Sequence, residues 1–262
     1  MNDDIKSHAI ARMQATLSEA FFAPVTWRHN DPNFQNVRSD YYNIWSNIPC
    51  GHKKYSYFAL YEKLFGHLRG NAVKLLELGV FKGASLRSWK AYFGHDSVIV
   101  GVDINEECRE HDAPSLNRHV RIGDQSDPEF LAKIIDEFGP FDIVMDDASH
   151  VTADQITSFN HLFINGVNPN GIYFIEDTNT SLWSSYQKGA ADIFELVRAL
   201  SIATHFFYAD HQYKDYKEEE HPKEFNTILA AKLIEEVRVF ESAIAVYKGS
   251  VDCNPPLVSL RP

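Results

Sequence analysis

Cysteine is scarce in this chain: Cys50, Cys108 and Cys253 are the three among 262 residues. An odd number without close spacing speaks against a disulfide framework or a zinc knuckle. Reduced thiols in a cytoplasmic protein are the expectation. No apolar run reaches the ~18 residues that a membrane span requires, so no membrane partner is expected. The opening residues Met1-Asn2-Asp3-Asp4 are acidic and lack an apolar core, so no signal peptide is expected either. Basic clusters are missing as well. Lys and Arg number 25 against 36 Asp and Glu, a formal net charge of −11. A field of that sign repels a phosphate backbone, which argues against nucleic acid as a substrate. No internal repeat and no low-complexity linker divides the chain.

What is present is enough apolar material for one large core. The chain is 44% hydrophobic and 13% aromatic. Apolar residues at helical spacing predict a helix over residues 4–23, ended by Pro24. Residues 24–52 are irregular, with exposed-looking aromatics at Trp27, Tyr41, Tyr42 and Trp45; they read equally as a lid over a site or as a packed arm. From Lys53 to Leu68 the spacing of Tyr57, Leu60, Tyr61, Leu64, Phe65 and Leu68 predicts an amphipathic helix. Strand and helix signals then alternate: strands at Val73–Leu78, Val98–Val102, His119–Ile122, Phe141–Met145 and Ile172–Ile175, with helices at Ala84–Phe93, Pro128–Phe138 and Thr152–Phe163. That alternation predicts an α/β fold with a mostly parallel sheet. A helix over Ala190–Phe206 follows, then a charged stretch, 208–226, read as a surface loop. Residues 237–241 and 243–248 are two apolar strands with almost no linker, hence an antiparallel hairpin at the sheet edge. The economical division is an N-terminal extension, 1–52, acting as lid or oligomer contact, and one domain, 53–262. A homo-oligomer is one of the open readings.

The chemistry gathers where these strands end. Ile143-Val144-Met145 runs straight into Asp146-Asp147-Ala148-Ser149-His150, and a buried strand has no use for adjacent aspartates. The C-terminal edge of an open α/β sheet does, because ligands bind there. Ile175-Glu176-Asp177 ends the next strand in the same way. Asp147, Glu176 and Asp177 brought together repel one another and need a cation; an all-oxygen set suits Mg²⁺, Mn²⁺ or Ca²⁺. His150 stands close enough to take a proton from a bound hydroxyl. The first strand runs into a turn with Gly79 and Gly83, then a helix whose free N–H groups favour an anion. Asp103, at the end of the second strand, is placed for ribose hydroxyls. Gly123-Asp124-Gln125 follows the third strand and suits an adenine edge, while Asp127-Pro128 caps the next helix.

Taken in order, Glu77-Leu78-Gly79-Val80, Gly83-Ala84-Ser85, Gly101-Val102-Asp103, Gly123-Asp124-Gln125, Asp146 to His150 and Ile175-Glu176-Asp177 resemble class I S-adenosylmethionine-dependent methyltransferases. More narrowly they resemble the Mg²⁺-dependent sugar O-methyltransferases of macrolide and polyketide tailoring, of the mycinamicin and macrocin type. The resemblance covers about residues 52–185 plus the C-terminal hairpin. It implies a Rossmann-like sheet of seven strands, mostly parallel, with an antiparallel C-terminal pair. It implies that Glu77, Gly79, Gly83 and Ser85 hold the amino-acid part of S-adenosylmethionine, Asp103 the ribose, and Gly123, Asp124 and Gln125 the adenine, with Asp146 on the cofactor side. It implies Asp147, Glu176 and Asp177 as ligands of Mg²⁺ or Mn²⁺, and His150 as general base. The acceptor would be the hydroxyl of a small molecule, a sugar or glycosylated metabolite of natural-product or surface-glycan biosynthesis. Two departures matter: Ala148 stands where the family has Gly, and residues 1–52 do not match the long N-terminal domain of the mycinamicin enzyme. Alternatives are a catechol or phenol acceptor, a cephalosporin-hydroxylase-like enzyme on the same fold, or a non-catalytic cofactor-binding subunit. The complete set of carboxylates and histidine argues against the last.

Overall fold

The structure, a computed structural model, describes residues 2–24, 39–188, 192–206 and 228–250. Trp27 and the stretch 208–226 lie outside these residues. Seven strands form one sheet: β1 (Lys74–Leu78), β2 (Val98–Asp103), β3 (Arg118–Ile122), β4 (Phe141–Asp146), β5 (Val167–Ile175), β6 (Ile234–Phe240) and β7 (Ala243–Lys248). Their order across the sheet is β3-β2-β1-β4-β5-β7-β6. The first five run parallel, while β7 is antiparallel to both β5 and β6. This is the α/β sheet with a C-terminal hairpin that the alternating pattern predicts. The order reverses between β1 and β4, so a crevice opens there, beyond the carboxyl ends of the strands.

The helices are α1 (Asn2–Thr16), α2 (Asp40–Trp45), α3 (Tyr55–Phe65), α4 (Ala84–Phe93), α5 (Pro128–Phe138), α6 (Thr152–Asn165), α7 (Ser184–Gln187), α8 (Ile193–Phe206) and α9 (Leu229–Leu233). Two start where their caps dictate. Asp127 accepts N–H bonds from Glu129 and Phe130 ahead of Pro128, the first residue of α5. Gly83, at φ 65°, turns the chain into α4. The helix expected over residues 4–23 is shorter than its pattern, because Thr16 ends it and a single 3₁₀ turn, Glu19–Phe22, follows. No helix among the described residues is long and apolar enough to cross a membrane.

Side chains of successive strand residues point to opposite faces, and this alternation separates two cores. Leu75, Ile99, Ile143, Met145 and Phe174 pack beneath α2, α3 and α4. Leu76, Val100, Val144, Tyr173 and Ile175 pack beneath α5, α6 and α8. The first core is dominated by aromatics. Tyr41, fully buried, lies 4.2 Å from the ring of Trp89 and edge-on to Tyr61 and Tyr92. Tyr42 and Trp45 pack against the same cluster. Residues 39–45, irregular in the sequence pattern, are therefore an arm packed into the sheet's own core. Only α2, six residues long, is regular there, too short to leave a periodic trace.

Candidate functional site

The site grows out of that alternation. Glu77 shares the face of Leu75, so it points beneath α4; Asp146 shares the face of Val144, so it points beneath α6; Glu176 shares the face of Phe174, so it points beneath α3. All three are fully buried. The residues just beyond the strand ends escape the alternation. Asp147 donates its N–H to Leu78 O at 2.9 Å and enters the crevice at the reversal of strand order. Asp177 and His150 take left-handed backbone, at φ 53° and 55°. A non-glycine residue held there costs roughly 1–3 kcal/mol and persists where the surroundings over-determine it. Here that conformation brings His150 Nε2 to 3.6 Å from Asp177 Oδ2.

Asp147, His150 and Asp177 each offer a donor atom within 4.8 Å of the others. The two carboxylates suit a divalent cation of the Mg²⁺ or Mn²⁺ class, with the imidazole beside them. Asp177 is held on its other side: Lys54 Nζ lies 2.6 Å from Oδ1, and the Tyr57 hydroxyl donates to Oδ1 at 2.8 Å. Burial would raise the Asp177 carboxyl, but Lys54, Tyr57 and His150 bring it below the usual range. His150 is fixed through its backbone, where the Thr180 hydroxyl donates to its carbonyl at 3.0 Å.

Glu176 stands apart from this trio. Its Oε2 accepts from Lys53 Nζ at 2.8 Å and its Oε1 from the Tyr61 hydroxyl. Lys53 Nζ also reaches Asp147 Oδ2 at 2.5 Å. Burial and the nearby Asp147 push the Glu176 carboxyl up, and Lys53 pulls against them. Burial works against the ammonium of Lys53, but Asp147, Glu176 and Glu77 outweigh it and raise its pKa. Sequence reasoning missed Lys53, because a lone lysine ahead of a helix carries no pattern. It also missed Tyr57 and Tyr61, which helical spacing assigned to the core; their rings are core and their hydroxyls serve the site.

The crevice beside this cluster has a volume of about 470 Å³ and is lined in part by Gly79, Asp103, Gly123, Asp124 and Gln125. Phe81, Ile104 and Cys108 also line it. Phe81 and Ile104 are exposed there, and exposed apolar side chains at a crevice mouth are the signal that pattern reading discards. Asp103 Oδ2 accepts from Val80 and Phe81 N–H, and Oδ1 from Asn105 N–H. Burial would raise this carboxyl, yet those three donors hold it below the usual range, so it remains an anion. A smaller cavity, sharing Gly79, Phe81 and Asp147 with the first, is lined by Ser85 and Lys53. Gly83 lies beside it; a Cβ there would meet the His111 ring at 2.5 Å.

Two of the expected cofactor contacts sit behind the walls. Asp146 accepts from Ser158, Tyr173 and Gln125 and does not line the crevice. The alternation turns it toward α6, so it acts on the crevice only through Gln125, whose Oε1 accepts the Ser149 N–H at 2.8 Å. Glu77 is buried with neither oxygen hydrogen-bonded; Ser85 and Trp89 lie near without closing a bond. Burial raises its pKa to about 8, against the pull of Lys53. The unfolded chain ionises this group near 4.5 and the folded chain near 8, so stability without ligands falls as pH rises through that window. Glu77→Gln should flatten that slope and stabilise the ligand-free chain at its alkaline end. Denaturant midpoints measured across the window test this, and an unchanged slope would refute it.

Among the aromatic side chains, Tyr41 is core, whereas Trp183 is 53% exposed with Tyr186 at 5.8 Å between ring centroids. They follow the 3₁₀ turn Thr178–Leu182, which starts directly after Asp177.

No family model matches this chain. It is 42% identical over 145 residues to the 8-demethyl-8-alpha-L-rhamnosyl tetracenomycin-C 2'-O-methyltransferase of Streptomyces olivaceus, a match covering 53% of this chain and 37% of that protein. It is 40% identical over 139 residues to the mycinamicin VI 2''-O-methyltransferase of Micromonospora griseorubida, covering 50% and 33%. The chain thus aligns with less than half the length of these curated relatives. Among solved structures it resembles the MycE methyltransferase from the mycinamycin biosynthetic pathway in complex with Mg, SAH and mycinamycin VI. That likeness has a TM-score of 0.66 at 30% identity, covering 82% of this chain and 55% of that one.

Proposed function

We propose that this chain, a relative of the sugar O-methyltransferases of macrolide and polyketide pathways, moves a methyl group from S-adenosylmethionine to a hydroxyl of a glycosylated small molecule. The observation that carries the reading is the trio Asp147, His150 and Asp177 at the edge of the strand-end crevice. A protein that merely held a nucleotide would need Asp103 and the glycine turn. It would not need a histidine and two carboxylates converging beyond them.

In this reading the cofactor lies along the crevice. Asp103 accepts hydrogen bonds from its ribose, Gly123 and Asp124 border the adenine, and Gln125 shapes the wall through Ser149. Gly79 leaves room for close approach at the reversal of the sheet, and the start of α4 with Ser85 takes the amino-acid end beside buried Glu77. Asp147 and Asp177 are the carboxylates that hold Mg²⁺ or Mn²⁺, with Glu176 behind them on Lys53. Bound S-adenosylmethionine supplies the methyl group, and a bound divalent cation lowers the pKa of the acceptor hydroxyl. His150 would take the acceptor's hydroxyl proton, and Asp177 beside it would stabilise the imidazolium that results. Trp183 and Tyr186 offer flat faces on which a sugar ring stacks. Free Cys50 and Cys108 suit a cytoplasmic location.

The test is direct. The chain is incubated with S-adenosylmethionine, Mg²⁺ and a panel of glycosylated polyketides, nucleotide-linked sugars and catechols, and products are followed by mass spectrometry. Gain of one methyl on a sugar is the expected result. Gain on a catechol alone would move the acceptor class. S-adenosylmethionine binding without any transfer would return the chain to a binding role.

A further inference from the structure

The strand-end acids are already served by a cation that belongs to the chain. Lys53 has a side chain only 4% exposed, and its ammonium lies 2.5 Å from Asp147 Oδ2 and 2.8 Å from Glu176 Oε2. Two of its three N–H donors are therefore spent on carboxylates. The next residue, Lys54, takes Asp177 instead and is 41% exposed. Both lysines immediately precede α3, whose Tyr57 and Tyr61 hydroxyls reach the same pair of acids, Asp177 and Glu176. One short stretch thus presents two ammoniums and two phenols to a single strand end. Asp147 belongs to both groupings: it is bonded to Lys53, and it is one of the three donors converging with His150 and Asp177.

We propose that Lys53 is a tethered counter-cation that competes with a divalent ion for the strand-end carboxylates. Without the ion, the ammonium holds Asp147 and Glu176 together. With the ion on Asp147 and Asp177, the ammonium stays close by in a nearly dry setting and sets how tightly the ion is held. Two cations within a few ångströms repel strongly where little water screens them. A carboxylate shared between them gives each less than its full charge. This rests on the metal-dependent reading above, but it concerns ion binding and not methyl transfer.

The experiment uses the full chain and Mn²⁺ alone as probe. Wild type and Lys53→Met are compared by calorimetry and by the spin-resonance signal of free Mn²⁺, and each is also made with Asp177→Asn as a second pair. Removal of the ammonium should tighten Mn²⁺ binding roughly tenfold or more, as the loss of one nearby like charge implies. Mn²⁺ should also raise the melting temperature of Lys53→Met more than that of wild type. Asp177→Asn should abolish binding in both backgrounds. Equal or weaker binding by Lys53→Met would overturn the proposal. So would binding that survives Asp177→Asn, no binding by either protein, or a Lys53→Met chain that stays unfolded with Mn²⁺ as without it. Calorimetry with S-adenosylmethionine on wild type, without metal, reports separately on the cofactor reading. Its failure would sink the methyltransferase assignment while leaving the ion competition standing.

Discussion

His150→Ala should reduce methyl transfer by about 10²–10⁴-fold, the usual contribution of a positioned general base, while S-adenosylmethionine affinity stays within a few-fold of wild type. The split follows from position. The strand-end crevice is lined in part by Gly79, Asp103, Gly123, Asp124 and Gln125, and His150 is not among its lining residues. His150 meets Asp177 across 3.6 Å and is fixed by Thr180 at its carbonyl, so its ring faces Asp177. Removing the ring also leaves Asp177 anchored, since Lys54 and Tyr57 hold its other oxygen. Single-turnover rates and cofactor calorimetry on the same preparation check the prediction. Wild-type turnover in His150→Ala would remove the base assignment. Equal loss of cofactor binding would show that the residue organises the crevice.

The second large effect is expected at Gly79. It sits at φ 98°, and a Cβ there would lie 2.2 Å from Asp147 O. The dihedral alone costs an ordinary residue about 1–3 kcal/mol, and the overlap adds a cost of roughly 1–3 kcal/mol if the backbone shifts. Gly79→Ala should therefore lower the melting temperature by roughly 10 °C. It should weaken S-adenosylmethionine binding as well, because the backbone that must move carries Asp147 and borders both cavities. Thermal unfolding and calorimetry read the two effects separately. A chain with native melting temperature and native cofactor affinity would contradict this account of the turn.

The sheet was legible because its signals are local and repeated. Short apolar runs ending in Asp103, Asp146 and Glu176 announce parallel strands with a functional edge. The helices Ala84–Phe93 and Pro128–Phe138 are bounded as their glycine turn and proline cap predict. The site was legible in its residue types more than in their directions. That Asp147, His150 and Asp177 converge could be anticipated from neighbouring strand ends. That Asp146 faces α6 and Glu176 faces α3 follows from strand alternation, but only once the last strand residue is known. Lys53 and Lys54 were hidden for another reason. They come from a segment distant in sequence, and a lysine's use depends on which acids it meets after folding.

The same alternation makes the strand ends sensitive to length in a way they are not sensitive to composition. Ala148 occupies a position where the resemblance implies glycine, and the loop keeps its course, with Ser149 N–H on Gln125. A single residue gained or lost before Glu176 would be another matter. The side-chain period of a strand is two, so one step of slippage exchanges inward for outward along the whole segment. Glu176 would swing from Lys53 and Tyr61 to the face of Tyr173 and Asp146, setting two buried carboxylates against each other with no ammonium between them. One residue inserted or deleted within β5 should therefore disturb the site more than a change of side chain at Ala148.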